Sequence, residues 1–234
     1  MKIYVVDDDI VARMSLIDVI KSAGGNAYRS VEFDSGDAAW EAIQGTGVPP
    51  MMVCCDIRMP GMSGLDLLEK VRGSPHLNNL PFVMITSKSD TDTINQSIAM
   101  GVTGYIVKPF VEKDASARMT RALNLARSKM METPGQAMAR LKLVDTKYIA
   151  YLSGIRSQIA QLFSEIHMAT TLEHYERINR KIETLKNGCA TLGLWRAARL
   201  LELLKVPDTS QEQVAESLSE ISQHIQYQTY SIDK

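Results

Sequence analysis

A change of period within the chain restricts its fold more than any other feature. Up to about residue 125, short β-rich runs alternate with helical ones; after METPGQ the β-rich runs vanish. The runs KIYVV, NAYRSVE, MMVCC, PFVMIT and GYIVK are separated by amphipathic stretches near 11–23, 35–44, 64–72 and 91–100, and a further helix begins near 112. Five strand–helix repeats of this length predict a doubly wound, five-stranded parallel α/β sheet. MMVCC is apolar throughout, as a central strand covered on both faces requires. In such sheets the residues just beyond the carboxyl ends of the strands form the site.

The remainder reads as all-helical. Tyr148, Leu152, Ile155, Ile159, Leu162 and Ile166 recur at steps of four and three, as do Tyr175, Ile178, Ile182, Leu185, Cys189 and Leu192, and then Val214, Leu218, Ile221 and Ile225. Between the last two seams lies the amphipathic LWRAARLLELL, ended by Val206-Pro207. Four seams with short connections predict an antiparallel four-helix bundle. The expected organisation is 1–125 for the α/β domain, 126–142 for a helical extension and linker interrupted at Pro134-Gly135, and 143–234 for the bundle.

Composition narrows the function classes. With 26 basic against 27 acidic residues the formal charge is −1, and no basic run marks a nucleic-acid footprint. The apolar run in MKIYVVDDD is stopped by acids, and no later segment reaches the ~18 uninterrupted apolar residues of a membrane span. A cytoplasmic protein without membrane insertion or nucleic-acid partner is expected. Three cysteines, two of them adjacent, make neither a disulfide framework nor a metal-ligand spacing, and are read as small buried residues.

Chemistry collects at the strand ends. Asp7, Asp8 and Asp9 follow the first run, Asp56 ends the third, Thr86 the fourth and Lys108 the fifth. Carboxylates without His or Cys suit a hard cation such as Mg²⁺, which uses one or two carboxylates and shares oxygens with a phosphoryl group. Taken singly, each residue has an ordinary explanation: Asp9 caps a helix, Lys108 is solvated, and DIRMPGMSG is a turn.

Together and in this order, VVDDD, DIRMPGMSG, MITS and YIVKPF, with MGVTGY before the last, resemble the receiver domain of two-component response regulators over about residues 1–125. The resemblance implies a flavodoxin-like fold in which Asp56 accepts a phosphoryl group from a phosphohistidine of a sensor or chemotaxis-type histidine kinase. It further implies Mg²⁺ held by Asp7, Asp8, Asp56 and the Arg58 backbone carbonyl, and Lys108 paired with the phosphoryl oxygens. Thr86 and Tyr105 are the implied switch pair, and a cis peptide precedes the matching Pro109. The domain then catalyses only its own phosphorylation and dephosphorylation. Arg58 and Lys88 match the positions flanking the hydrolytic water in this family, where two long cations are expected to slow dephosphorylation.

The second half resembles histidine phosphotransfer domains. ETLKNGCATLG falls in register with their motif through Leu185, Lys186, Leu192 and Gly193, but Glu183 replaces the phosphorylatable histidine and Asn187 the glycine that admits a partner. His174, nine residues before Glu183, points about 180° away from that face, and His167 and His224 fall at a helix end and beside a core seam. A pseudo-phosphotransfer domain is expected, presenting Arg180, Glu183, Lys186 and Asn187 to a protein partner such as another receiver. Two alternatives stay open: a phosphatase of phosphorylated receivers using Glu183 and Asn187, and a phosphorelay intermediate.

Overall fold

The computed structural model describes residues 1–45, 48–87 and 91–232 and divides into two compact units, Met1–Arg127 and Ser128–Lys234. In the first, strands β1 (Lys2–Val6), β2 (Arg29–Phe33), β3 (Met52–Asp56), β4 (Phe82–Ser87) and β5 (Gly104–Lys108) alternate with helices α1 (Ile10–Gly24), α2 (Gly36–Gly45), α3 (Gly64–Gly73), α4 (Thr91–Ala99) and α5 (Glu112–Ser128). All pairings are parallel and the order is β2-β1-β3-β4-β5. The expected doubly wound sheet is thus present. Because β1 and β3 are neighbours whose following helices leave in opposite senses, their carboxyl ends open a crevice carrying Asp7–Asp9 and Asp56.

Local chemistry explains the elements. Every residue of β3 is buried, which is why its run is apolar without alternation. Asp9 caps α1 by accepting from Val11 N at 2.8 Å, and Ser63 and Asp66 form a reciprocal capping box at the start of α3. The turn after β3 needs two glycines. Gly61 adopts φ +73°, and a Cβ on Gly64 would lie 2.1 Å from the Asp56 carbonyl oxygen, so only glycine lets α3 begin this close to the end of β3. From α3, Arg72 donates to the carbonyls of Leu80 (2.9 Å), Met100 (3.0 Å) and Gly101 (2.9 Å), tying that helix to the segments entering β4 and β5.

The second unit is helical: α6 (Pro134–Leu141), α7 (Asp145–Met168), α8 (Leu172–Thr191), α9 (Trp195–Leu203) and α10 (Gln211–Tyr230). α7 packs on α8 and α10, and α9 on the same two, so α7 to α10 close a ring around one core. The seams are those of the 3.6-residue pattern: Tyr148, Leu152, Ile155, Ile159 and Leu162 face Ile178, Ile182, Leu185 and Cys189 across a buried interior completed by Val214, Leu218, Ile221 and Ile225. The interruption expected at Pro134-Gly135 falls just before it. Pro134 occupies the first turn of α6 behind a Thr133–Gln136 capping box, where a missing N–H costs nothing. Residues 130–142 are fastened to the bundle, with Glu132 N donating to Gly193 O at 2.9 Å and Arg140 Nη2 to Thr191 O at 2.9 Å. No helix among the described residues is long and apolar enough to cross a membrane.

Candidate functional site

The site sits where β1, β3 and β5 end together. Asp7 is 1% exposed and Asp56 8% exposed, whereas Asp8 faces solvent. One carboxylate oxygen of each lies within 4.8 Å of the others. Lys108 reaches in from β5: its Nζ is 2.6 Å from Asp7 Oδ2 and 3.2 Å from Asp56 Oδ1. Asp7 Oδ2 is buried, and the Lys108 ammonium is the positive charge set against it. The Lys108–Pro109 peptide is cis.

The electrostatics follow from burial and like charge. Burial raises the Asp56 pKa above the ordinary value and Asp7 adds to it, with Lys108 opposing both. Burial works to lower Lys108, but Asp7 and Asp56 outweigh it and hold the ammonium more firmly charged than usual. Three crowded carboxylates against one ammonium leave excess negative charge in a half-enclosed pocket. Oxygen donors only, one of them buried, fit a hard divalent cation.

The other expected receiver residues are close by. Thr86 is fully buried at the end of β4, and its hydroxyl donates to the Ser87 carbonyl at 3.0 Å. Tyr105, half-buried on β5, packs against the core and lies under the Arg118 guanidinium, 4.9 Å from its ring centre. Arg58 has an exposed side chain and lines, with Ile57, Met59, Pro60, Ser63 and Leu65, a cleft of about 560 Å³ beside Asp56. Lys88 lies outside the described residues. All three cysteines are free and buried, with Cys54 and Cys189 pushed up to about 12 by burial.

Two residues were not anticipated. Arg13, from the first turn of α1, donates to the Asp7 carbonyl at 2.6 Å and to Glu32 at 3.2 Å. A cation in a helix's first turn, against the macrodipole, was the available signal. Arg118 is the other; only its spacing of four from Asp114, to which it donates at 2.8 Å, was visible beforehand.

On the bundle, Glu183 and Asn187 are exposed on α8, but the face is more nearly neutral than its sequence suggests. Lys186 Nζ lies 2.6 Å from Glu183, and Arg180 lies 3.9 Å from Glu176. His167 is exposed in the last turn of α7. His224 is 1% exposed, its Nε2 3.4 Å from Glu220, which is itself 2.9 Å from Arg196 Nε. His224 is a core residue with partners.

The family model of the response regulator receiver domain matches residues 3–120, half of the 234-residue chain. The chain is similar to the chemotaxis protein CheY of Pseudomonas aeruginosa, 34% identical over 110 residues that make up 47% of this chain and 86% of that protein. It is also similar to the chemotaxis protein CheY-3 of Vibrio cholerae, 36% identical over 110 residues, 47% of this chain and 82% of that protein. Among solved structures, a putative response regulator from Chloroflexus aurantiacus is 28% identical, covering 53% of this chain and 97% of that one, with a TM-score of 0.47. The family match, together with the strand order and the acidic pocket, shows that this chain belongs to the response regulator receiver domain family and is a two-component response regulator.

Proposed function

We propose that Asp56 is the phosphoacceptor of this response regulator, taking a phosphoryl group from a histidine kinase, and that the helical unit is a protein-binding output domain that does not itself carry phosphate. The observation carrying the first part is the bridge made by Lys108 between Asp7 and Asp56 beside the exposed carboxylate of Asp8. Asp7, Asp8 and Asp56, with the Arg58 carbonyl, would hold Mg²⁺, whose chemistry is to offset charge on the incoming phosphoryl oxygens. Asp56 supplies the attacking oxygen. Its contact with Lys108 keeps a cation where phosphoryl charge arrives, and the phosphoaspartate adds close to two negative charges to the pocket. Drawing Thr86 towards the new oxygens vacates space that Tyr105 can fill.

The bundle reading rests on the position matched to the phosphorylatable histidine, where Glu183 stands exposed and paired with Lys186. That carboxylate offers a partner a fixed charge, and the domain reads out phosphorylation by binding, not by transfer or hydrolysis. Labelling with acetyl phosphate in Mg²⁺ tests the phosphoacceptor. Wild-type chain is labelled and Asp56→Asn is not, because an amide is neither nucleophilic nor anionic. Labelling of Asp56→Asn at the wild-type rate sinks the proposal.

A further inference from the structure

Arg13 breaks a local rule. It sits near the amino end of α1, where the helix dipole disfavours a cation even though the Asp9 carboxylate caps that end. The side chain nonetheless has a defined place: Nη1 donates to the Asp7 carbonyl at 2.6 Å and Nε to Glu32 Oε2 on β2 at 3.2 Å. It is 13% exposed, held between loop and strand instead of being solvated.

The carbonyl it grips belongs to the Asp7–Asp8 peptide. On one side of that peptide Asp7 N donates to Phe33 O at 3.1 Å; on the other, Asp9 N donates to Asp7 Oδ1 at 3.1 Å and Asp9 Oδ1 caps α1. Asp8 lies between these fixed points with its side chain exposed, so the plane of the preceding peptide sets the direction in which that side chain leaves the loop. Lys108 and Arg13 divide the work. Lys108 meets the carboxylates of Asp7 and Asp56, whereas Arg13 meets a backbone carbonyl and Glu32, fixing the loop without occupying an oxygen that a cation needs.

We infer that Arg13, braced by Glu32, is a positioning residue for divalent-cation binding, holding Asp8 where it shares one ion with Asp7 and Asp56; this rests on the receiver reading of the pocket. The test is Mn²⁺ titrated into the full chain, followed by loss of the free-ion electron paramagnetic resonance signal. Arg13→Ala weakens binding about tenfold, as expected for a residue that orients metal ligands. Arg13→Lys keeps the charge and stem but lacks the fork that serves two acceptors at once, and loses less in the same direction. In both, the Mg²⁺ concentration for half-maximal labelling by acetyl phosphate rises more than the plateau rate falls, a split that general loosening of the fold does not produce. Should Arg13→Ala fail to fold by circular dichroism, Arg13→Lys carries the comparison. Wild-type Mn²⁺ affinity in the folded Arg13 variants overturns the positioning role and leaves the receiver reading standing. A wild-type chain that binds no Mn²⁺ overturns both.

Discussion

At the scale of single residues, this receiver depends on side chains, and one missing side chain, within a few ångströms of Asp56. Gly64 lies where a Cβ would be 2.1 Å from the Asp56 carbonyl, and that carbonyl cannot retreat without moving Asp56, the proposed phosphoacceptor. Gly64→Ala is therefore expected to cost about 1–3 kcal/mol from overpacking and to slow labelling of Asp56, read by a melt and a labelling time course on the same sample. On the bundle, Glu183→His with Asn187→Gly restores the phosphotransfer pattern. If the architecture is shared, the double variant accepts phosphate from a phosphorylated receiver and the wild type does not; failure of the folded double variant to label contradicts the kinship. Much of the receiver site was legible because each acid, hydroxyl or lysine ends a strand, and strand ends are visible as the close of an apolar run. Arg13 was not, because its meaning depends on a carbonyl six residues back and on Glu32 in the next strand, a relation without local period.

At the scale of elements, charged side chains partly or wholly buried between elements act as fasteners. Arg72 spans α3 and the segments leading into β4 and β5 through three carbonyls, each left without its donor in Arg72→Ala. A loss of about 2–4 kcal/mol is expected from unsatisfied partly buried groups, seen as a lower urea midpoint with unchanged slope. In the bundle Glu220 plays the corresponding part. Burial opposes its ionisation, yet the hydrogen bond with His224 and the Arg196 guanidinium outweigh burial and hold it at about 2. Since that lies below its unfolded value of 4.5, the stabilisation is fully present above pH 4.5 and is lost as the pH falls towards 2. His224, lowered by its own burial, adds a loss in the same direction below its unfolded value of 6.5. Melting temperature against pH should therefore fall less steeply between 4.5 and 2 in Glu220→Gln than in the wild type; parallel curves would show that Glu220 carries no acid sensitivity. The helices themselves were readable from spacing, since Leu152, Ile159, Ile182 and Leu218 all lie where the period places them. The polar line Ser217, Glu220, His224 and Gln228 buried along α10 was not, because its partners, Arg196 and Tyr148 among them, come from other helices.

At the scale of the whole molecule, a receiver domain is joined in one chain to a helical unit, and under the proposed function phosphate stops at Asp56 because Glu183 stands where the phosphotransfer motif has its histidine. On the proposed function, such a chain receives a signal as phosphate and passes it on as binding. The claim turns on where phosphate can reside. The most direct measurement is the chemical stability of the label on the intact chain, after incubation with a phosphorylated histidine kinase in Mg²⁺, compared with Asp56→Asn. The expected result is one base-labile phosphoryl group, the signature of an acyl phosphate, absent from Asp56→Asn. A base-stable, acid-labile label on the wild-type chain, or any label persisting in Asp56→Asn, would contradict it, because phosphate would then reside on a histidine or on a second acceptor.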